Sequence, residues 1–251
     1  MILKISFLCA AGFIAAFIDS IAGGGGLITL PAFLAAGIPV HYTLGTSKFS
    51  STASSLTSSI KYIRSGNTNF TILKYLIPSA FIGAIFGVRT VLKINESILQ
   101  TLVLILVVSI GIYSLFSKSV GIENKFEGTN KKNITIGLIF VFIVGFYDGF
   151  FGPGAGAFLI FGLIRIYGFD FTKAGGNARV LNFTTNIASL IVFIIGGKVN
   201  FLYGVPIAIS MMFGARLGTK FALTHGSKLI KPIFITMALA VACKMLINLA
   251  F

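Results

Sequence analysis

The chain has 251 residues, 56% of them hydrophobic and only 10% charged, with a mean hydropathy of +0.97. A soluble domain carries about 25% charged residues, so the composition excludes one, and runs such as Leu3–Ile18, Leu73–Val88, Ile98–Phe116 and Ile230–Phe251 approach the ~20 residues that span a bilayer. The runs do not alternate as β-barrel strands do, and the net charge of +14 rests on Lys and Arg dispersed at run ends, which speaks for membrane topology and against nucleic acid as a partner.

In chain order, a short apolar segment (about 5–18) meets a Gly-rich break (20–26, in FIDSIAGGGGLITL) and a second short segment (about 27–37). Three longer segments follow, at about 46–63, 71–90 and 97–116. The polar stretch SKSVGIENKFEGTNKKN (117–133) reads as a linker, and after it the series repeats: 134–147, a break at 149–156, then 157–168, 174–195, 201–222 and 229–250. The opening MILKISFLCAAGFIAAF has the look of a signal peptide. Its counterpart, Asn133 to Phe150, stands in mid-chain, so the N-terminus is expected to be part of the fold.

The repeat holds at single-residue level. A shift of 131 places Gly45-Thr46-Ser47-Lys48 on Gly176-Asn177-Ala178-Arg179, and Gly83-x-x-x-Gly87 on Gly214-x-x-x-Gly218. A shift of 129 places Asp19 and Gly23 on Asp148 and Gly152. The chain is therefore expected to form two membrane repeats, 1–116 and 134–251, joined by the linker.

Charge decides how the short pair runs. If it crosses the membrane once, the 20 Lys and Arg divide ten and ten. If it enters and returns, fourteen fall on one side and six (Lys4, Lys48, Arg89, Lys93, Lys198 and Lys244) on the other, the bias that cytoplasmic loops show. Each half then has odd parity and the halves are inverted. The expected fold is an all-α polytopic membrane protein of two inverted repeats, each of about five helical segments with the first two a re-entrant hairpin, giving 8–10 membrane segments, an arrangement typical of secondary transporters.

Both third segments carry a polar stripe headed by a cation. Lys48 precedes Ser51, Ser54, Ser55 and Ser58, and Arg179 precedes Asn182, Thr185, Asn186 and Ser189. Intramembrane polar groups face a bundle interior or a wet cavity, although small hydroxyl residues also serve helix packing. Asp19 and Asp148 stand at the two breaks, as caps for the next helix, as counter-ions to Lys48 or Arg179, or as proton carriers. A helix resuming after a glycine break points free N–H groups and partial positive charge into the membrane. Two such ends near two cations suit an anion. The glycine run lacks the spacing of a nucleotide loop. His41, His225, Cys9 and Cys243 form no metal set, and no nucleophile–base arrangement suggests an enzyme.

The paired stretches AAFIDSIAGGGGLITLPAFLAAG and GFYDGFFGPGAGAFLIFGL, with GTSK in one half and GGNARVLNFTTNIASL in the other, resemble the TauE/SafE family of membrane transporters, as does GVPIAISMMFGARLGTKFALTHGSKLIKP. The resemblance implies an inner-membrane permease of bacterial type, without an ATPase domain, for sulfite, sulfoacetate or related organosulfur anions. Thr46-Ser47 stands where the second half has Asn177-Ala178, so the half-sites are chemically unequal.

The expectation is a secondary transporter of a small anion by alternating access. Lys48 and Arg179 supply charge; Thr46, Ser47, Ser51, Asn177, Asn182 and Asn186 supply hydrogen bonds; Gly24, Gly25, Gly154 and Gly156 supply backbone donors. No cofactor and no metal are expected. The partners are the anionic solute and the lipid bilayer, with a coupling proton or sodium ion and a homodimer left open. The linker is expected on the cytoplasmic side of a cell membrane. Two other readings stay open: a cation or proton-coupled metal carrier using Asp19 and Asp148, and a non-transporting membrane scaffold.

Overall fold

A computed structural model describes residues 2–99, 101–103, 105, 123–126 and 128–250, with side chains left aside for 226–250. Most of the expected fifth segment of the first half, and residues 117–122 and 127 of the linker, fall outside the described residues.

The described chain is helical: α1 (Ile2–Ala22), α2 (Gly26–Ala35), α3 (Val40–Arg64), α4 (Phe70–Val91), α5 (Lys131–Phe150), α6 (Ala155–Tyr167), α7 (Phe171–Ile195) and α8 (Phe201–Ala250). Among the described residues, five stretches are long and apolar enough to cross a membrane: α1, α4, α5, α7 and α8 as far as His225. The chain is a multi-pass membrane protein. Helix starts are fixed by local chemistry. The Asn69 side chain accepts from Thr71 N at 3.0 Å to open α4. Asn130 and Asn133 cap each other reciprocally to open α5, and Asp170 accepts from Thr172 N and Lys173 N to open α7.

Two boundaries differ from the sequence reading. The first helix runs through Asp19 and Ser20 to Ala22, so the break narrows to residues 23–25. Ser20 is tolerated there because its hydroxyl donates back to Ala16 O at 2.7 Å. The last helix continues through 223–228, where two segments were expected. Gly226 is the weakest helix former in that interval, and a single interior glycine costs only about 1 kcal/mol.

The α1–α2 pair is a hairpin. Lys4 Nζ, near the start of α1, donates to Ala36 O, just past the end of α2, at 3.0 Å. In one straight helix those residues would lie about 48 Å apart. The second half repeats this: Gly137 near the start of α5 touches the Tyr167 ring that ends α6. The short arms, α2 and α6, are about 15 and 20 Å long, half to two-thirds of a bilayer core.

The halves grip each other through reciprocal contacts. Gly83 and Gly87 of α4 lie against the carbonyls of Phe142 and Phe146 in α5, and Gly214 and Gly218 of α8 against those of Phe13 and Phe17 in α1. The same shifts that align the sequence relate these contacts. Only a glycine lets the backbones come so near, which is how small residues serve membrane helix packing. Gly45 of α3 lies against Lys198 O and Gly176 of α7 against Asn67 O, so α3 and α7 run antiparallel with the start of each at the end of the other.

The polarity is arranged inside out. Ile82, Phe86, Ile139, Ile143, Ile209 and Phe213 are exposed, while Ser47, Lys48, Ser54, Ser55, Ser58, Asn182 and Asn186 are buried. Helix α3 turns Leu56, Ile60 and Ile63 outward and its serines inward. Apolar clusters above and below, such as Leu73, Leu76, Leu159 and Leu163 on one side and Leu30, Val88, Val91 and Phe193 on the other, leave this polar layer in the middle.

Candidate functional site

The tips of the two hairpins meet. Ala157 N donates to Gly23 O at 3.1 Å, and a methyl group on Gly23 would fall on the Gly156–Ala157 backbone. Gly26 abuts Pro153 in the same way. Gly23 (φ +87°) and Gly154 (φ +81°) hold left-handed conformations that other residues rarely adopt. The glycine runs are thus joints, each built to let the other pass close.

Around this joint lies a cavity of about 40 Å³, space for roughly three waters. Its lining includes Gly25 and Gly26 at the start of α2 and Gly154 and Gly156 at the start of α6. Two helix N-termini, each with outward N–H groups and a partial positive charge, therefore border one space. Ser47, Lys48 and Ser51 enter from α3, and Asn182 and Asn186 from α7. Asp19 and Asp148 complete the polar wall.

The charges pair across the halves. Lys48 Nζ sits 2.8 Å from Asp148 Oδ1, and Arg179 Nη1 sits 2.6 Å from Asp19 Oδ2. Each cation thus meets the acid from the other half of the sequence. Lys48 Nζ also donates to Asn186 Oδ1 at 3.1 Å, and Asn186 Nδ2 donates to Asn182 Oδ1 at 3.1 Å. Asn186 Nδ2 reaches Ser55 Oγ, its own counterpart in the first half, at 3.4 Å. Asp19 also braces its hairpin: its Oδ1 accepts from Gly25 N at 3.1 Å, tying the end of α1 to the start of α2. Burying two charged pairs is offset only by such close geometry and added hydrogen bonds.

The site residues expected from sequence therefore divide. Ser47, Lys48, Ser51, Asn182, Asn186, Gly25, Gly154 and Gly156 line the cavity, with both acids. Arg179 stands behind Asp19, fully buried, with Nε and Nη2 lacking a hydrogen-bond partner among the described residues. Gly24 is next to the lining without being part of it. Thr46 and Asn177 lie elsewhere: Thr46 Oγ1 accepts from Asn200 N at 3.0 Å, and Asn177 Oδ1 from Asn69 N at 2.8 Å. These are again reciprocal, each side chain holding the turn before the other half's fourth helix. Pro153, Phe151, Leu30, Leu44 and Met211 also line the cavity. The Gly-Pro-Gly turn was a signal for Pro153; Met211, one apolar residue among many in α8, carried none.

A family model described as "Sulfite exporter TauE/SafE" matches residues 8–245. The chain is 35% identical over 241 residues to a "Probable membrane transporter protein" of Haemophilus influenzae, covering 96% of this chain and 94% of that one. It is 36% identical over 248 residues to "Probable membrane transporter protein YfcA" of Escherichia coli K12, covering 97% and 90%. It is 26% identical to "Probable membrane transporter protein YdhB" of Bacillus subtilis, covering 96% and 97%. No solved structure matches the chain.

Proposed function

Because the chain belongs to the sulfite exporter TauE/SafE family and is a multi-pass membrane transporter, we propose that it moves a small sulfur oxyanion or sulfonate by alternating access between two inverted halves. The observation that carries the substrate class is the cavity itself: two helix N-termini, the Lys48 ammonium and the amides of Asn182 and Asn186 converge on one small polar space. Nothing in that wall demands a large apolar group.

The inverted arrangement is supported by the antiparallel α3 and α7 and by the two hairpins whose tips meet. It is supported too by Lys61 Nζ, which donates to Arg216 O at 2.8 Å. The hairpin topology puts these two basic ends on one side of the membrane, whereas four crossings per half put them on opposite sides. That side is the basic one and so the cytoplasmic one, with the 117–133 linker beside it and the protein in the cell's inner or plasma membrane. Alternating access then consists of the hairpins and the α3–α7 pair rocking about the glycine joint.

The cation-carrier reading is less well supported, because the two helix N-termini that border the cavity favour negative charge. The test is a thermal-shift titration of the purified protein with sulfite, sulfate, isethionate, chloride, sodium and divalent cations. A ligand at a hundred times its Kd stabilises the fold by about 2.7 kcal/mol. Sulfite or isethionate should raise the melting temperature and Lys48→Gln should abolish the rise. Stabilisation by cations alone would overturn the proposal.

A further inference from the structure

The four charges of the site sum to zero: Lys48 with Asp148 and Arg179 with Asp19. An anion that enters therefore meets no free positive charge. Lys48 has already committed its ammonium to Asp148 Oδ1 and Asn186 Oδ1. An uncompensated anion in this low-dielectric layer would be costly, so something must relieve Lys48 when the anion binds.

The two acids are unequal in a way that selects one of them. Asp19 has both oxygens occupied, one by Gly25 N–H and the other by Arg179, a cation that keeps its proton. Asp148 has only Oδ1 occupied; Oδ2 is buried without a hydrogen-bond partner among the described residues. The Asp148 side chain is 3% exposed and that of Asp19 21%. Asp148 also faces a lysine that lines the cavity, whereas the cation paired with Asp19 is set behind it.

Among the described residues, the charged and titratable groups around Asp148 are few. Lys48 faces it from α3 and Tyr147 adjoins it on its own helix; Asp19 and Arg179 belong to the cavity's other charged pair. Helix α4, packed on α5, carries Lys74 and Arg89 on its exposed face, and α6 carries Arg165, exposed, and Tyr167 at its far end.

We infer that transport is coupled to protons through Asp148. The proton binds Oδ2, the free oxygen, and turns the carboxylate into a neutral acid. Lys48 is then an unpaired cation and takes the anion together with Asn186, Ser51 and the helix N-termini. On the other side both leave, the anion from Lys48 and the proton from Oδ2, and the Lys48–Asp148 pair re-forms. One proton travels with one singly charged anion, so the loaded and the empty site carry the same charge. The Arg179–Asp19 pair stays closed throughout and holds the α1–α2 hairpin. This inference rests on the anion reading above.

Two measurements test it. The first needs no substrate: infrared difference spectra of the purified protein between alkaline and mildly acidic solution. A protonated-carboxyl C=O band should appear in the wild type and in Asp19→Asn and be missing in Asp148→Asn. A band that survives Asp148→Asn and vanishes with Asp19→Asn, or no intramembrane carboxyl band at all, overturns the inference. The second uses proteoliposomes and isethionate, a sulfonate that stays singly ionised. An inward proton gradient should drive uphill uptake by the wild type, approaching about tenfold for each tenfold gradient, and Asp148→Asn should lose that accumulation. Isethionate flux in the wild type that follows a sodium gradient, or no gradient, overturns proton coupling and leaves the transport reading standing. Absence of any sulfite or sulfonate flux fails the transport reading, and the infrared bands still decide the role of Asp148.

Discussion

The contact between hairpin tips can be tested by comparing two glycines with similar backbone and different surroundings. Gly23 (φ +87°) lies against Gly156 and Ala157, whereas Gly66 (φ +73°), after α3, has open space where a side chain would stand. Alanine at Gly66 meets only the left-handed strain, about 1–2 kcal/mol. Alanine at Gly23 meets the same strain, plus about 1–3 kcal/mol for forcing the α6 backbone aside, plus about 1 kcal/mol for the Ala157 N–H bond to Gly23 O. The total is about 3–6 kcal/mol. For a chain of this length each kcal/mol moves Tm by roughly 2–4 °C, so Gly23→Ala should melt well below Gly66→Ala in the same detergent. It should also lose transport under conditions where Gly66→Ala keeps it. Equal melting temperatures for the two variants would refute the meeting of the tips and the cavity built around it.

Other consequences follow from the same geometry. Lys48→Met should destabilise by about 3–5 kcal/mol, because it leaves the buried Asp148 without its cation; adding Asp148→Asn should recover much of that loss, measured as a double-mutant cycle of chemical or thermal unfolding. Thr46→Val and Asn177→Leu should each cost about 1–3 kcal/mol of stability while leaving KM for the transported anion unaltered, since both side chains hold backbone turns away from the cavity; a raised KM with normal stability would return them to the binding site. Cysteines at Lys4 and Ala36 should be trapped together by a short bifunctional thiol reagent, as the hairpin requires; a single kinked helix would leave them unlinked. Leucine at Gly83 or at Gly214 should block folded expression to a similar degree, because the two glycines make equivalent contacts on opposite helices.

Much of this architecture was legible in the residues. The glycines at 83, 87, 214 and 218 repeat at a fixed shift because each supports the same backbone approach. The Lys and Arg distribution implied the hairpins, and Lys4 against Ala36 shows how the first one closes. Helix lengths near the breaks were less legible. Asp19 and Ser20 look like the start of a loop, yet Ser20 satisfies its hydroxyl within the helix and Asp19 is held by Arg179 and Gly25. The pairing of charges could not be read at all. Each half places one acid at its break and one cation at the head of its polar stripe, and either acid suits either cation; only the antiparallel meeting of α3 and α7 decides that Lys48 goes to Asp148. Thr46 and Asn177 illustrate a related limit. Their chemistry announces a hydrogen bond, but the partner could equally be a solute or a backbone N–H. Which of the two it is depends on a turn far along the chain, at Asn200 for Thr46 and at Asn69 for Asn177, that only the folded halves bring near.

We propose that one small anion binds between the two hairpin tips at Lys48. The most direct measurement is counterflow of labelled sulfite and isethionate in proteoliposomes, with wild type beside Lys48→Gln checked for folding by its melting profile. Saturable exchange of at least one of the two anions is expected, with a KM raised tenfold or more by Lys48→Gln, the equivalent of losing about 1.4 kcal/mol of binding. Exchange that proceeds with an unchanged KM in folded Lys48→Gln would contradict it.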